Sequence, residues 1–216
     1  MSGPQCCSDP PTLDPSAGAG KVEKFGGYEA PNLRKLADKV AGAGFFVVVP
    51  DFFRGEPYVP EDASRPLLVW LKDHGADKGF EDAKPVIEDL KSKGFSAIGA
   101  AGFCWGAKVV VELAKINSIQ AAVLLHPSLC SLDDIKEVKV PISILGAETD
   151  QISPPELVKQ FDEALSAKSE IDSFVKIFPG VAHGWTVRYN VEDEAAVKSA
   201  EEAHLDLLNW FTKYVE

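Results

Sequence analysis

At 216 residues, 45% hydrophobic and 25% charged, the chain has globular proportions and enough length for one sizeable core. Its net charge of −11 offers no basic stripe to a nucleic-acid backbone or an anionic membrane, so neither is expected as a partner. The four cysteines, Cys6, Cys7, Cys104 and Cys130, have neither the density of a disulfide scaffold nor the paired spacing of a zinc site, which predicts free thiols in the cytoplasm.

Met1–Asp14 lacks the basic and apolar regions of a secretion signal, and no segment has the apolar length of a membrane span. Residues 1–26, with Pro4, Pro10, Pro11 and Pro15, read as an irregular arm ahead of a single domain over 27–216. In Pro31–Ala41, Leu33, Leu36, Ala37 and Val40 fall on one helical face, and Gly42 and Gly44 end it. The apolar run Phe45–Val49, closed by Pro50, predicts a parallel strand buried on both faces. A long loop, Asp51–Pro66, precedes helices predicted at Leu67–Asp73 and Glu81–Lys93, the second stopped by Gly94. Strands are expected at Ser96–Ala101, Ala121–Leu125, Ile142–Leu145 and Phe174–Phe178, and helices from Ala107 and at Pro155–Leu165 and Val191–Tyr214. This alternation predicts an α/β fold with a mostly parallel sheet flanked by helices.

Between the strand at Ser96 and the helix from Ala107 stands Gly102-Phe103-Cys104-Trp105-Gly106. Glycines on both sides of a central nucleophile, in a strand-turn-helix context, are the pattern of a nucleophile elbow, which thrusts the side chain outward. Alone, the pentapeptide reads equally as a tight turn around a buried cysteine. Two further strand ends carry complementary chemistry. Leu145-Gly146 leads to Asp150, with Glu148 as an alternative acid, and Phe178 leads to His183. A thiol with an ordinary pKa of about 8.5 is mostly protonated at neutral pH and needs a neighbouring imidazole to take its proton. Cys104, Asp150 and His183 supply nucleophile, acid and base in the chain order of an α/β-hydrolase triad.

These residues resemble the dienelactone hydrolases, and specifically their plant-type members. Besides the cysteine elbow, the resemblance rests on Tyr28–Ala37, Val49-Pro50-Asp51-Phe52-Phe53, Leu125-His126-Pro127 and Pro179–Trp185. It implies an α/β-hydrolase fold and hydrolysis of a small, anionic lactone or ester through a thioester on Cys104, without metal or organic cofactor. The family holds the substrate carboxylate with arginines, which points to Arg54 and Arg188, each displaced by one residue from the family position. His126 and Trp185 are expected beside the pocket. His74 and His204 read as helix-surface residues.

Family members also carry, ahead of Gly-Tyr-Glu-Ala-Pro-Asn, an apolar strand and a loop that donates one oxyanion amide. Here Lys21–Gly26 runs straight into Gly27-Tyr28. The resemblance therefore implies a sheet without one central strand, between Phe45–Val49 and Ser96–Ala101, and an oxyanion site reduced to the N–H of Trp105. A catalytically impaired member of the family is the alternative function. A mixed-linkage β-glucanase label carried by some plant-type relatives is a third, although its chemistry needs two carboxylates flanking a cleft.

Overall fold

The computed structural model describes residues 31–59 and 62–215, so the expected arm over 1–26 lies outside the described residues. In chain order the elements are α1 (Pro31–Gly42), α2 (Leu67–Asp73), α3 (Ala76–Ser92), β1 (Gly99–Phe103), α4 (Trp105–Lys115), β2 (Ala121–Leu125), α5 (Leu132–Lys136), β3 (Ile142–Thr149), α6 (Pro155–Ser166), β4 (Ser173–Ala182) and α7 (Glu194–Tyr214).

The organising strand is β2, whose five residues are all without solvent access. A strand covered on both faces can be apolar throughout, because its alternating side chains enter two different cores. Ala122 and Leu124 pack with α3, α4 and α6 on one side, among Ile87, Val110, Val111, Val158 and Phe161. Ala121, Val123 and Leu125 face Leu36 of α1 and Leu207, Trp210 and Phe211 of α7 on the other. Around it the sheet runs β1-β2-β3-β4, parallel at every pairing. All the strands therefore end on the same side, where ligands of open α/β sheets bind.

Phe45–Val49 departs from the sequence expectation. It is irregular backbone, and Phe46, Val48 and Val49 are 64%, 44% and 57% exposed. A two-sided buried strand needs a hydrogen-bonding neighbour, and among the described residues the sheet stops at β1. Its aromatics find side-chain partners instead: Phe45 meets Phe211 edge-on at 6.4 Å, and Phe46 stacks on Phe95 at 4.8 Å. The other differences are smaller. α3 starts five residues before Glu81, at Ala76, and includes Gly79, where the Trp105 ring occupies the space of a Cβ. α7 starts at Glu194 because Asp193 caps it, accepting from the N–H groups of Ala195 and Ala196. The short α5, not expected from the sequence, is opened by a capping box between Ser131 and Asp134.

Candidate active site

Cys104 sits between β1 and α4 with φ 51° and ψ −114°, a left-handed conformation costing a non-glycine residue about 1–3 kcal/mol. Hydrogen bonds hold it there: its N–H donates to the Leu125 carbonyl at 3.2 Å, and its carbonyl accepts from Ala107 at 3.1 Å and Ser128 at 3.0 Å. Gly102 makes the turn possible. A Cβ there would collide with the backbone of Gly106 and Ala107, so only glycine lets β1 and α4 approach so closely. Trp105 opens α4, and its N–H is one of the first-turn donors that have no partner within the helix.

Asp150 follows β3 and is 5% exposed. One carboxylate oxygen accepts from the N–H groups of Ile152 and Ser153, at 2.8 and 3.0 Å. The other accepts from His183 Nδ1 at 2.7 Å. The acid is thus fixed by its own loop and turned toward the base. Glu148, the alternative acid, is exposed and bonds instead to the Gly180 N–H at 2.7 Å.

His183 follows β4. Burial lowers its pKa, but hydrogen bonds to Asp150 and Cys104 outweigh that effect and raise it to about 9 from an ordinary 6.5. With Nδ1 engaged by Asp150, the bond to Cys104 falls to Nε2. The three residues expected to form a triad are therefore brought together in one chain of hydrogen bonds, from strand ends β1, β3 and β4.

His126 is fully buried and packs against His183, with ring centroids 5.0 Å apart. Its Nε2 lies 2.8 Å from Thr186 Oγ1, and burial, the nearby His183 and Arg188 hold its pKa well below the ordinary value. Trp185, 6% exposed, continues this wall at 5.3 Å from His126. His204 is no surface residue either. It is 2% exposed, donates from Nε2 to the Thr186 carbonyl at 2.8 Å, and burial lowers its pKa to about 4. His74 is largely covered, stacked on Trp70 at 4.3 Å, because α2 turns that face toward Phe53.

The two expected arginines separate. Arg188 lays its guanidinium against Gly184, the residue after His183, in the space a Cβ there would take. Arg54 pairs with Asp82 at 2.8 and 3.0 Å and lines a cleft of about 840 Å³ with Phe52, Phe53, Phe80, Trp105 and Lys108. Neither Cys104 nor His183 lines that cleft.

Two residues not singled out from the sequence belong to this arrangement. Thr186 joins His126 and His204, and Ser128, 1% exposed, places its hydroxyl 3.3 Å from Cys104 Sγ. The available signal for Ser128 was its place after β2, whose end lies beside the elbow. Among the described residues, no helix is long and apolar enough to cross a membrane.

Comparison with known proteins agrees with this architecture. A maize protein named endo-1,3;1,4-beta-D-glucanase is 46% identical over 145 residues. That match is 67% of this chain but 46% of the maize protein, so the chain spans about half of that relative's length. A carboxymethylenebutenolidase homolog from Xenopus tropicalis is 32% identical over 198 residues, covering 90% of this chain and 80% of its own. Among solved structures, one from Klebsiella pneumoniae assigned to the dienelactone hydrolases superposes with a TM-score of 0.69 at 21% identity, covering 88% of this chain and 83% of that one. The model of the Dienelactone hydrolase family matches residues 22–215, nearly the whole chain. The chain belongs to the Dienelactone hydrolase family and has the α/β-hydrolase type of fold.

Proposed function

We propose that the chain is a cysteine-dependent hydrolase of small carboxylic esters or lactones, acting through a thioester on Cys104. The observation that carries this reading is His183, hydrogen-bonded to Asp150 on one side and to Cys104 on the other, with its pKa raised to about 9. An imidazole of that basicity is protonated at neutral pH, and in this reading the reacting form is a Cys104 thiolate beside a His183 imidazolium.

The chemistry follows from that pair. The thiolate attacks the carbonyl carbon, an S–C bond forms, and the carbonyl electrons move onto oxygen, where the Trp105 N–H donates to the charge. Collapse breaks the C–O bond, and the leaving alkoxide takes the proton from His183 Nε2. His183, now neutral, accepts a proton from water as it attacks the thioester. Breaking the C–S bond releases the acid and restores the thiolate. Asp150 keeps Nδ1 protonated and Nε2 aimed at sulfur throughout. In this reading Arg188, whose guanidinium lies against Gly184 beside His183, pairs with a carboxylate on the substrate. Arg54, bound to Asp82 in the separate cleft, is outside this reading.

A catalytically impaired member of the family is the second reading, favoured by the exposure of Phe46, Val48 and Val49, which have no sheet neighbour among the described residues. Loss of one oxyanion donor typically slows a reaction about 100- to 1000-fold. The glucanase name of the maize relative implies glycan chemistry, which requires two carboxylates flanking the scissile bond. Asp150 has both oxygens occupied by hydrogen bonds, and no such role is proposed for it.

Turnover of an activated aryl ester by the wild-type chain and by Cys104→Ala tests the proposal. Loss of at least 1000-fold on substitution is expected, of the order seen when a member acting as a unit is removed from a triad. Full activity in the variant overturns it. Stoichiometric acylation of wild-type Cys104 without turnover supports the impaired reading.

A further inference from the structure

Ser128 is tied to the two described cysteines by every polar group it has. Its N–H donates to the Cys104 carbonyl at 3.0 Å, its hydroxyl lies 3.3 Å from Cys104 Sγ, and its carbonyl accepts from the Cys130 thiol at 3.5 Å. The turn that holds it is bent into the left-handed region on both sides, with φ 38° at His126 and φ 62° at Leu129. Neither is glycine, and such conformations persist where surrounding structure enforces them. Pro127 stiffens the turn between them. The hydroxyl is thus a buried polar group delivered to the sulfur at a backbone cost. Resting on the cysteine-hydrolase reading above, we propose that Ser128 is a positioning residue, its hydroxyl donating to the Cys104 sulfur whenever that atom carries negative charge.

The chemistry of the surroundings selects this direction of donation. A thiolate has no proton to give, so in the ion pair the hydroxyl must be the donor. Cys130 does not compete for the charge: burial pushes its pKa up to about 12, keeping it a neutral thiol that anchors the Ser128 carbonyl. The other titratable and charged groups facing this spot are His183 with Asp150 behind it, His126 and Arg188, with Lys108, Glu112 and Asp134 around Cys130. His183 approaches the sulfur from the β4 side and Ser128 from the β2 side. The sulfur is held between two donors, so its lone pairs are oriented before a substrate arrives. After acylation the thioester sulfur no longer needs the hydroxyl, which becomes available again when the C–S bond breaks and the thiolate returns.

The pH profile of Cys104 alkylation by iodoacetamide tests this. A hydrogen bond to a charged acceptor favours the ionised thiol, so Ser128→Ala is expected to move the profile midpoint upward by about one pH unit, with the melting temperature held within a few degrees. Ser128→Thr, which keeps the hydroxyl, is expected to restore the wild-type midpoint. An unchanged midpoint in the alanine variant, or equal displacement in both variants, overturns the proposal. If the alanine variant does not fold, the native chain decides: the Ser128 Cβ resonance must titrate with the Cys104 midpoint, and a pH-insensitive resonance refutes the contact. These outcomes separate from the reading beneath them, because full ester turnover by Cys104→Ala defeats that reading whatever Ser128 does, whereas an unmoved midpoint with Cys104 still essential defeats only the role of Ser128.

Discussion

His183 carries a charge whose stability can be followed with pH. Its folded pKa, about 9, lies above the ordinary 6.5, so the stabilisation from its partners is fully present below about pH 6.5 and is lost as pH rises through about 9. On the proposed mechanism, ester turnover falls over the same upper range, because the imidazolium assigned to protonate the leaving group disappears. Urea midpoints measured between pH 6 and 10 check the stability side. Asp150→Asn, which removes the charge opposite Nδ1, should flatten that decline and draw the upper limb of the activity profile downward. A wild-type chain equally stable across this range would show that the pairing contributes nothing. Asp150 and His183 were legible in the sequence because strand ends announce themselves as apolar runs followed by polar turns. The place of Ser128 was not. It depends on left-handed backbone at His126 and Leu129, which folds the turn back onto a sulfur 24 residues away, and neither residue type signals that conformation.

Among the elements, α4 is secured as much by charge as by its apolar face. Its Lys108 and Lys115 both reach Asp134 of α5, at 2.7 and 3.1 Å, while Glu112 pairs with both lysines. Asp134 also closes the capping box with Ser131. Burial raises its pKa, but the hydrogen bond from Lys108, two from Ser131 and another from Lys115 hold its carboxyl well below the usual carboxylate range. The sign is opposite to that of His183: this contribution is present above about pH 3.8 and is lost as pH falls below it. Asp134→Asn is expected to cost about 1.5–3 kcal/mol at neutral pH, the range for a hydrogen bond to a charged group, and to weaken the acid dependence of the urea midpoint. Helices and strands with continuous patterns, such as Leu67–Asp73 and Ala121–Leu125, were readable to their boundaries. The first turn of α3 was not, because Gly79 looks like a helix breaker until the Trp105 ring is seen to need its space.

At the scale of the molecule, Phe45–Val49 shows what a local pattern cannot report. Its composition specifies a buried strand, but strandhood also depends on a neighbour, and that information is not in the segment itself. The consequence is an apolar stretch facing water in Phe46, Val48 and Val49. Exposed apolar groups of this kind bind hydrophobic dyes and favour association. Phe46→Lys is therefore expected to lower dye fluorescence and concentration-dependent light scattering. Its cost in stability should stay within about 1.5 kcal/mol, the value of an aromatic pair, since the Phe95 stack is the contact it loses. A large drop in melting temperature would instead mean that this segment carries part of the core.

The sheet order β1-β2-β3-β4 repeats the order of the strands along the chain. β2, β3 and β4 each emerge during synthesis with a pairing partner already made, one helix earlier. Strand pairing can proceed as a zipper from the β1 edge, although one face of β2 is covered only when α7 arrives. Cys104 follows β1 and His183 follows β4, so the chain of hydrogen bonds through His183 closes only when β4 docks. A ribosome-stalled product that stops before β4 would carry Cys104 without either His183 or the α7 cover of β2.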